Sequence, residues 1–360
     1  MGLLAAGAAL VSPLHTRADS HEIFVHPGES IQAAVDRARP GDTVKVLAGT
    51  YNQQVNITTD DITLKGEGAD DTVIMPPSSG GAKSGTAVAG NCDAAEGQTG
   101  ICVAIPPISE GGTVNGVVEG VTVKSLSVTG FAGAGLFLFG TDGAKVEDVQ
   151  AQSDGFYGIF FDSSTNGVVR HNTTSGNNEA GIYYGDSPDA DAWITDNTSR
   201  NNLGSGIFFR DSKEGHIGGN KVQGNCEGIF VLNTGYGQGL ANTSDVTVSD
   251  NDADKNNAGC VGREGRPSLS GMGILVAGAS NTTVVDNSVE GNNAGTNATL
   301  GTAGVILFST TFLGGTDESN NSVSDNHLDD NSTDLFWDGK GSGNHFSDNE
   351  CDTSTPSGLC

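Results

Sequence analysis

From residue 135 onward the chain repeats one short pattern: a glycine, an aliphatic residue, then an apolar pair. It reads Gly135-Leu-Phe-Leu, Gly158-Ile-Phe-Phe, Gly181-Ile-Tyr-Tyr, Gly206-Ile-Phe-Phe and Gly228-Ile-Phe-Val, with the glycines 23, 23, 25 and 22 residues apart. Gly273-Ile-Leu-Val and Gly304-Val-Ile-Leu continue it at spacings of 45 and 31. The longer interval is either one unit with large insertions or two units. Apolar runs this short, bounded by Gly, Asn and Asp, are strand-and-turn signals. The three-and-four spacing of an amphipathic helix is absent. So is the Leu-x-x-Leu-x-Leu frame of leucine-rich repeats.

A second column runs in step with the first. Asn172, Asn197, Asn220, Asn251, Asn287 and Asn326 each follow a short apolar stretch, in His-Asn, Asp-Asn or Gly-Asn pairs. Asn tolerates left-handed backbone and hydrogen-bonds locally, which suits a tight turn. On stacked coils such side chains can bond to one another as a ladder. N-glycosylation of the many Asn-x-Ser/Thr triplets is the competing use, but the turn accounts for the same residues. A period near 23 with one Gly and one Asn per unit implies one coil per repeat, each resting on the next at about 4.8 Å.

The N-terminal end reads as a cap. Ser30 to Ala38 forms a short amphipathic helix with Ile31, Ala34, Val35 and Ala38 on one face. Pro40-Gly41-Asp42 stops it, and Thr43 to Leu47 reads as a strand. A helix there covers the open edge of the first coil. At the other end, Asp334 to Asp338 and the Cys351–Cys360 tail are expected to close the stack.

The run SIQAAVDRARPGDTVKVLAGTY, residues 30–51, resembles the opening of pectate-lyase-like right-handed β-helix proteins. The Gly-Ile-x-Val…Asn coils are similar to the parallel β-helix repeats of the periplasmic nitrous-oxide-reductase maturation protein and of alginate epimerases. The likeness spans residues 26–350. It implies an all-β fold: a single-stranded right-handed parallel β-helix, or solenoid, with a short N-terminal capping helix. The expected organisation is a signal-peptide remnant at 1–18, a cap at 19–42, a β-helix at 43–350 with an insertion at 76–115, and a disulfide-closed tail at 351–360.

Composition changes the picture in three ways. Lys and Arg number 17 against 44 Asp and Glu, a net charge of −27. That surface repels nucleic acid and anionic lipid, and repels a polyanionic glycan unless cations intervene. Ca²⁺ is therefore the candidate cofactor, with solubility outside the cell as the plainer meaning of the charge. The apolar run Leu3–Leu14 is too short for a bilayer, which needs about 20 residues. With Thr16-Arg17-Ala18 before Asp19 it reads as the end of a secretory leader. Six cysteines without a C-x-x-C fit an oxidising compartment. Six thiols allow about 15 pairings. Position within the repeats favours Cys92–Cys102, Cys226–Cys260 and Cys351–Cys360. The protein is expected to be secreted or periplasmic, monomeric and without a membrane span.

Strand parity then locates candidate chemistry. Counted from each glycine, positions one and three should face inward, as Leu136/Leu138, Ile159/Phe161, Ile182/Tyr184, Ile207/Phe209 and Ile229/Val231. Position two should face out, which stacks Phe137, Phe160, Tyr183, Phe208 and Phe230 in one stripe. An exposed apolar stripe marks a ligand or partner surface unless a loop covers it, and the 76–115 insertion could do so. Asp162, Asp186, Arg210 and Asp211 border the stripe, with Tyr157, Glu179 and Glu227 just before their strands and His171 on a later face.

Lyases and epimerases of uronate polymers need a base, an acid and a cation to neutralise the carboxylate. Tyr157, Asp162, Asp186, Arg210 and Asp211 are the residues placed to supply these roles. The alginate-epimerase run Tyr-Gly-Phe-Asp-Pro-His is matched only by Tyr157-Gly158 and the nearby Asp162, without Pro-His. Polygalacturonase signatures and the Ca²⁺-binding glycine-rich nonapeptide are absent. The expected function is interaction with polysaccharide, as a lyase or C5-epimerase on an acidic glycan. The alternative is a non-catalytic extracellular binding or structural β-helix protein.

Overall fold

The computed structural model describes residues 20–77, 97–108, 113–235, 242–260, 269–294 and 301–360. Among them the strands form sheets of twenty, eleven and two members, and every named strand pairing is parallel and in register. One circuit of the chain contributes one strand to the eleven-stranded sheet and two to the twenty-stranded sheet. In the circuit that begins at Gly158 these are Ile159–Asp162, then Val168–Arg170 and Thr173–Ser175. The chain thus winds as a β-helix with three faces.

The core is a bundle of columns, each made by one position of the repeat. Val44, Leu64, Val123, Val146, Val169, Ile194, Ile217, Val248, Val284 and Val323 pair successively across the twenty-stranded sheet and are all fully buried. β-branched side chains dominate because they suit a pleated, tightly packed surface. The inward residues of the eleven-stranded sheet are buried as parity requires, and Phe161, Tyr184 and Phe209 stack inside it, with ring centroids 5.1 and 6.0 Å apart.

The repeated glycine has a steric cause. A Cβ on Gly206 would collide with the Val222 side chain, and one on Gly181 with Ser199 and Thr174. The strands that follow Gly228 and Gly273 pair directly, Ile229 with Ile274, so the interval of 45 is a single coil with insertions.

The expected asparagine ladder is present. Asn172 donates its amide to Asn197 Oδ1 at 3.0 Å and to the Val146 carbonyl at 2.9 Å, and the pattern runs through Asn220, Asn251, Asn287 and Asn326 to Asn349. A second ladder joins Asn177, Asn202, Asn225, Asn256, Asn292 and Asn331. Each member lies five residues after a member of the first. A hydroxyl ladder, Ser164 to Ser187 to Ser212, caps the next corner. Every buried amide in these corners has its partners, as a dry interior demands.

The N-terminal helix spans Ile31–Val35, with the Ser30 hydroxyl accepting from Ala33 N and Ile31, Ala34 and Val35 buried. The segment 76–115, read from sequence as an insertion, also holds a rung. Ile101–Val103 lies between Val55–Ile57 and Leu136–Leu138 in the eleven-stranded sheet. Leu335–Trp337 is likewise a rung rather than the closing turn, and Ser354–Thr355 of the tail pairs with it. Cys226–Cys260 and Cys351–Cys360 are disulfides, with Cα atoms 5.7 and 5.5 Å apart. Cys102 is also disulfide-bonded, while Cys92 and the segment 1–18, expected to be a leader remnant, lie outside the described residues.

Candidate functional site

The outer face of the eleven-stranded sheet is where the columns stop repeating. Position four reads Phe139, Asp162, Gly185, Arg210, Leu232 on directly paired strands. Gly185 leaves room for Tyr183, whose hydroxyl folds over it: a Cβ there would strike the Tyr183 oxygen. The hydroxyl therefore lies over the middle coil of three, with Asp162 on the coil before it and Arg210 on the coil after it.

Hydrogen bonds tie this group together. Tyr183 donates to Asp186 Oδ2 at 3.2 Å, and Arg210 Nη2 donates to both Asp186 oxygens at 3.1 and 3.0 Å. Arg210 Nε lies 3.1 Å from Asp211 Oδ2, but its N–H is not aimed at it, so that contact is an ion pair and not an aligned hydrogen bond. The guanidinium also sits 5.7 Å from the Tyr183 ring centre. Tyr157 stacks on Tyr183 with centroids 4.6 Å apart. Asp186 and Asp211 occupy corners with φ of 52° and 47°, a left-handed conformation that Asp tolerates better than most residues.

Burial pushes the Asp162 carboxyl up to about 7; Asp186 adds to the rise, while the Ser163 hydroxyl and Arg210 oppose it. Burial likewise holds the Tyr183 hydroxyl well above its ordinary range, against the pull of Arg210. A carboxyl that titrates near neutrality beside a protonated phenol and a guanidinium can give or take a proton.

Four of the five residues expected to carry chemistry are therefore brought together: Tyr157, Asp162, Asp186 and Arg210. Asp211 is directed elsewhere, accepting from the Thr234 amide at 2.8 Å and its hydroxyl at 2.6 Å. It anchors the following loop and holds Arg210 from behind. Arg210 differs from expectation too, because two of its three nitrogens already face carboxylates.

The aromatic stripe needs correction. Phe137, Phe160, Tyr183, Phe208 and Phe230 do share the outer face, but they are not an exposed platform. Tyr183 is only 2% exposed, and Phe137 and Phe160 are buried with Cys102, Ala104, Phe139 and Tyr157 in a second apolar cluster against which Ile108 packs. Part of the 76–115 segment thus does cover the stripe. Phe208 and Phe230 remain partly open and stack face to face, centroids 4.9 Å apart and planes 9° off parallel.

Beside them Glu227 is buried, accepts a hydrogen bond from Ser205 Oγ at 3.1 Å and is raised by burial to about 7. Three strand steps separate the Asp162 and Glu227 coils, about 14 Å along the axis. A carboxylate pair acting on one glycosidic bond needs about 5–9.5 Å. Among the described residues no group of three or more His, Cys, Asp or Glu is arranged to hold a metal ion. No helix among the described residues is long and apolar enough to cross a membrane.

Solved structures share this architecture. The A-module of the Azotobacter vinelandii mannuronan C-5 epimerase AlgE4 is 18% identical, with a TM-score of 0.55 over 89% of this chain and 90% of that one. The DFA-IIIase of Arthrobacter chlorophenolicus A6, in complex with DFA-III, is 14% identical with a TM-score of 0.61 over 93% and 85%. The enzymatically active domain of bacteriophage CBA120 tailspike protein 2 is 11% identical with a TM-score of 0.58, over 88% of this chain but 44% of that one. At such identities the likeness is one of fold. No curated protein matches the sequence. The family described as the right-handed β-helix region matches residues 82–188 and 134–312, together more than half of the chain. The parallel coils, the three-faced core and this match agree: the chain belongs to the right-handed β-helix family.

Proposed function

We propose that the protein acts on a polysaccharide at the outer face of the eleven-stranded sheet, as a lyase or C5-epimerase of an acidic glycan with Asp162 as the proton-transferring group. One observation carries the reading. Asp162, raised to about 7, lies one strand from Gly185, over which the Tyr183 hydroxyl folds, and Arg210, whose side chain is still 29% exposed, stands on the strand beyond. Both reactions begin by removing a proton next to a sugar carboxylate, and a base that titrates near neutrality suits that step. Tyr183, protonated and adjacent, supplies a donor. The partly open Phe208–Phe230 pair offers a stacking surface for a sugar ring two coils further on. Polysaccharide-related solved structures of the same fold support the substrate class by analogy. The disulfides support an oxidising, non-cytoplasmic location.

The test is incubation with alginate and polygalacturonate. Ultraviolet absorbance follows an unsaturated product, and proton NMR follows inversion at C5. Turnover that is lost in Asp162→Asn, with binding retained, is the expected result. Absence of both products with every uronate polymer tried sinks the enzyme reading. The second reading is then a non-catalytic glycan-binding β-helix. It is favoured by the pairing of Arg210 with Asp186 and Asp211, which leaves the guanidinium little freedom to clamp a substrate.

A further inference from the structure

The outer face of the twenty-stranded sheet carries a feature that the Asp162 site does not use. In the first coils Lys45 pairs in register with Lys65, and Lys65 with Lys124. The next strand adds Lys145 in the neighbouring column and Glu147 in the same column. Glu147 is neutralised by Arg170 on the coil after it, at 2.8 Å. None of Lys45, Lys65, Lys124 and Lys145 forms an ion pair among the described residues. The column starts at Phe24, 47% exposed and 5.6 Å from the Lys45 ammonium. Past Lys145 the neighbouring column continues to Val168 and then Trp193, 48% exposed, which leans on His216 with ring centres 4.5 Å apart.

Folding does not require this arrangement. Like charges directly opposite on paired strands are destabilising. Lysine protects sheet edges, yet each of these strands is hydrogen-bonded on both sides. In a chain with 17 cations against 44 acids, the outward positions of five consecutive paired strands hold five cations, Lys45, Lys65, Lys124, Lys145 and Arg170, and a single acid, Glu147.

We infer that this track binds a linear anionic polysaccharide lying along the helix axis, with Lys45, Lys65, Lys124 and Lys145 meeting its acidic groups and Trp193 stacking on a sugar ring. Five strand steps from Lys45 to Trp193 give a track of about 24 Å. It is narrow: Asp61 and Glu119 stand at the corner on one side, and Glu67 and Asp148 at the corner on the other. A single thin chain fits between those acids, whereas a lipid surface or a nucleic-acid duplex would meet them as well as the lysines. A single-stranded nucleic acid wants a series of aromatic platforms, and the track has one ring at each end. The track lies on a different sheet from Asp162 and is independent of any turnover there.

Electrophoresis through gels containing polygalacturonate, neutral dextran, polyglutamate or single-stranded DNA tests this. At low ionic strength polygalacturonate should retard the wild type and dextran should not, and added salt should release it. Lys65→Glu with Lys124→Glu should weaken retardation about tenfold or more. Lys221→Glu with Lys255→Glu, the same change of charge elsewhere, should leave most of it. Trp193→Ala should weaken retardation by polygalacturonate, and Asp162→Asn should leave it intact. The proposal is overturned if the two double variants behave alike, if the wild type is not retarded at low salt, or if polyglutamate or single-stranded DNA binds as well as the glycan and Trp193→Ala has no effect.

Discussion

Asn177 and Asp162 belong to the same coil, and each sets a polar head into protein, yet they are treated in opposite ways. Asn177 stands in a column that repeats: Asn202 accepts from both its amide and its backbone N–H, and its own oxygen accepts from the backbone of Asp154. Nothing is left unpaired, and its burial is safe. Asp162 stands in a column that breaks, with Phe139 before it and Gly185 after it, and the Ser163 hydroxyl is its hydrogen-bond partner. Burial pushes its carboxyl toward neutrality, against the pull of that one hydroxyl. In a solenoid, repetition satisfies polar groups, and loss of repetition exposes chemistry. The top of the second ladder shows the change within one rung. Asp154 takes the Asn position there, its Oδ1 accepts from Phe131 N, its Oδ2 has no partner among the described residues, and burial pushes it well above the carboxylate range.

The sharpest way to break this comparison is to interrupt the repeating column. Asn220→Ala removes bonds to Asn197, Asn251 and the Ile194 carbonyl at once. It should cost about 3 kcal/mol, since each orphaned buried group costs about 1–3 kcal/mol. Urea denaturation followed by circular dichroism measures it, and an unchanged midpoint would remove the ladder's role.

Truncation on the outer face should cost less and should vary along the stripe. Tyr183→Ala, in the covered part, is expected to lose about 2–3 kcal/mol, and Phe208→Ala, partly open, about 1 kcal/mol. Equal losses would mean that the stripe is covered along its whole length. Because Tyr183 is buried, Tyr183→Phe is the better probe of its hydroxyl in any activity assay.

Asp154→Asn should complete the second ladder and stabilise the protein by about 1 kcal/mol above neutral pH. The direction follows from linkage. A carboxyl whose pKa is raised by folding binds its proton more tightly in the native state, so its native form is favoured at low pH and stability falls as pH rises toward the folded pKa. The gain from Asp154→Asn should therefore vanish near pH 4. Wild-type stability that is flat with pH, with no gain in the variant, would contradict a protonated Asp154.

The smallest effect concerns Asp162 and Glu227, both raised to about 7. By the same sign, each erodes stability between about pH 4 and 7, and Asp162→Asn or Glu227→Gln should flatten that slope slightly. Turnover that needs ionised Asp162 should rise with pH through about 7. A pH–rate profile without an inflection near neutrality would assign the base elsewhere.

Periodic features of this protein were legible from the chain because a solenoid writes its core one-dimensionally. Each coil lies on the next, so the spacing of Gly, Ile and Asn along the sequence already states which residues stack. Inward parity, the first asparagine ladder and the Cys226–Cys260 pair follow from that spacing, while the capping helix shows in its own apolar face and the Cys351–Cys360 pair in its place in the tail. The second ladder was equally legible in the constant offset of five residues from the first. The hydroxyl that folds over Gly185, the burial of Tyr183 under neighbouring aromatics and the diversion of Asp211 to Thr234 were not. Nor was the alignment of Lys45, Lys65 and Lys124, whose spacings of 20 and 59 residues hide an exact register. Those facts depend on side-chain direction and on where loops of unequal length return the chain to the stack. A repeat fixes which coil a residue joins; only packing in three dimensions decides what covers it and which charges meet.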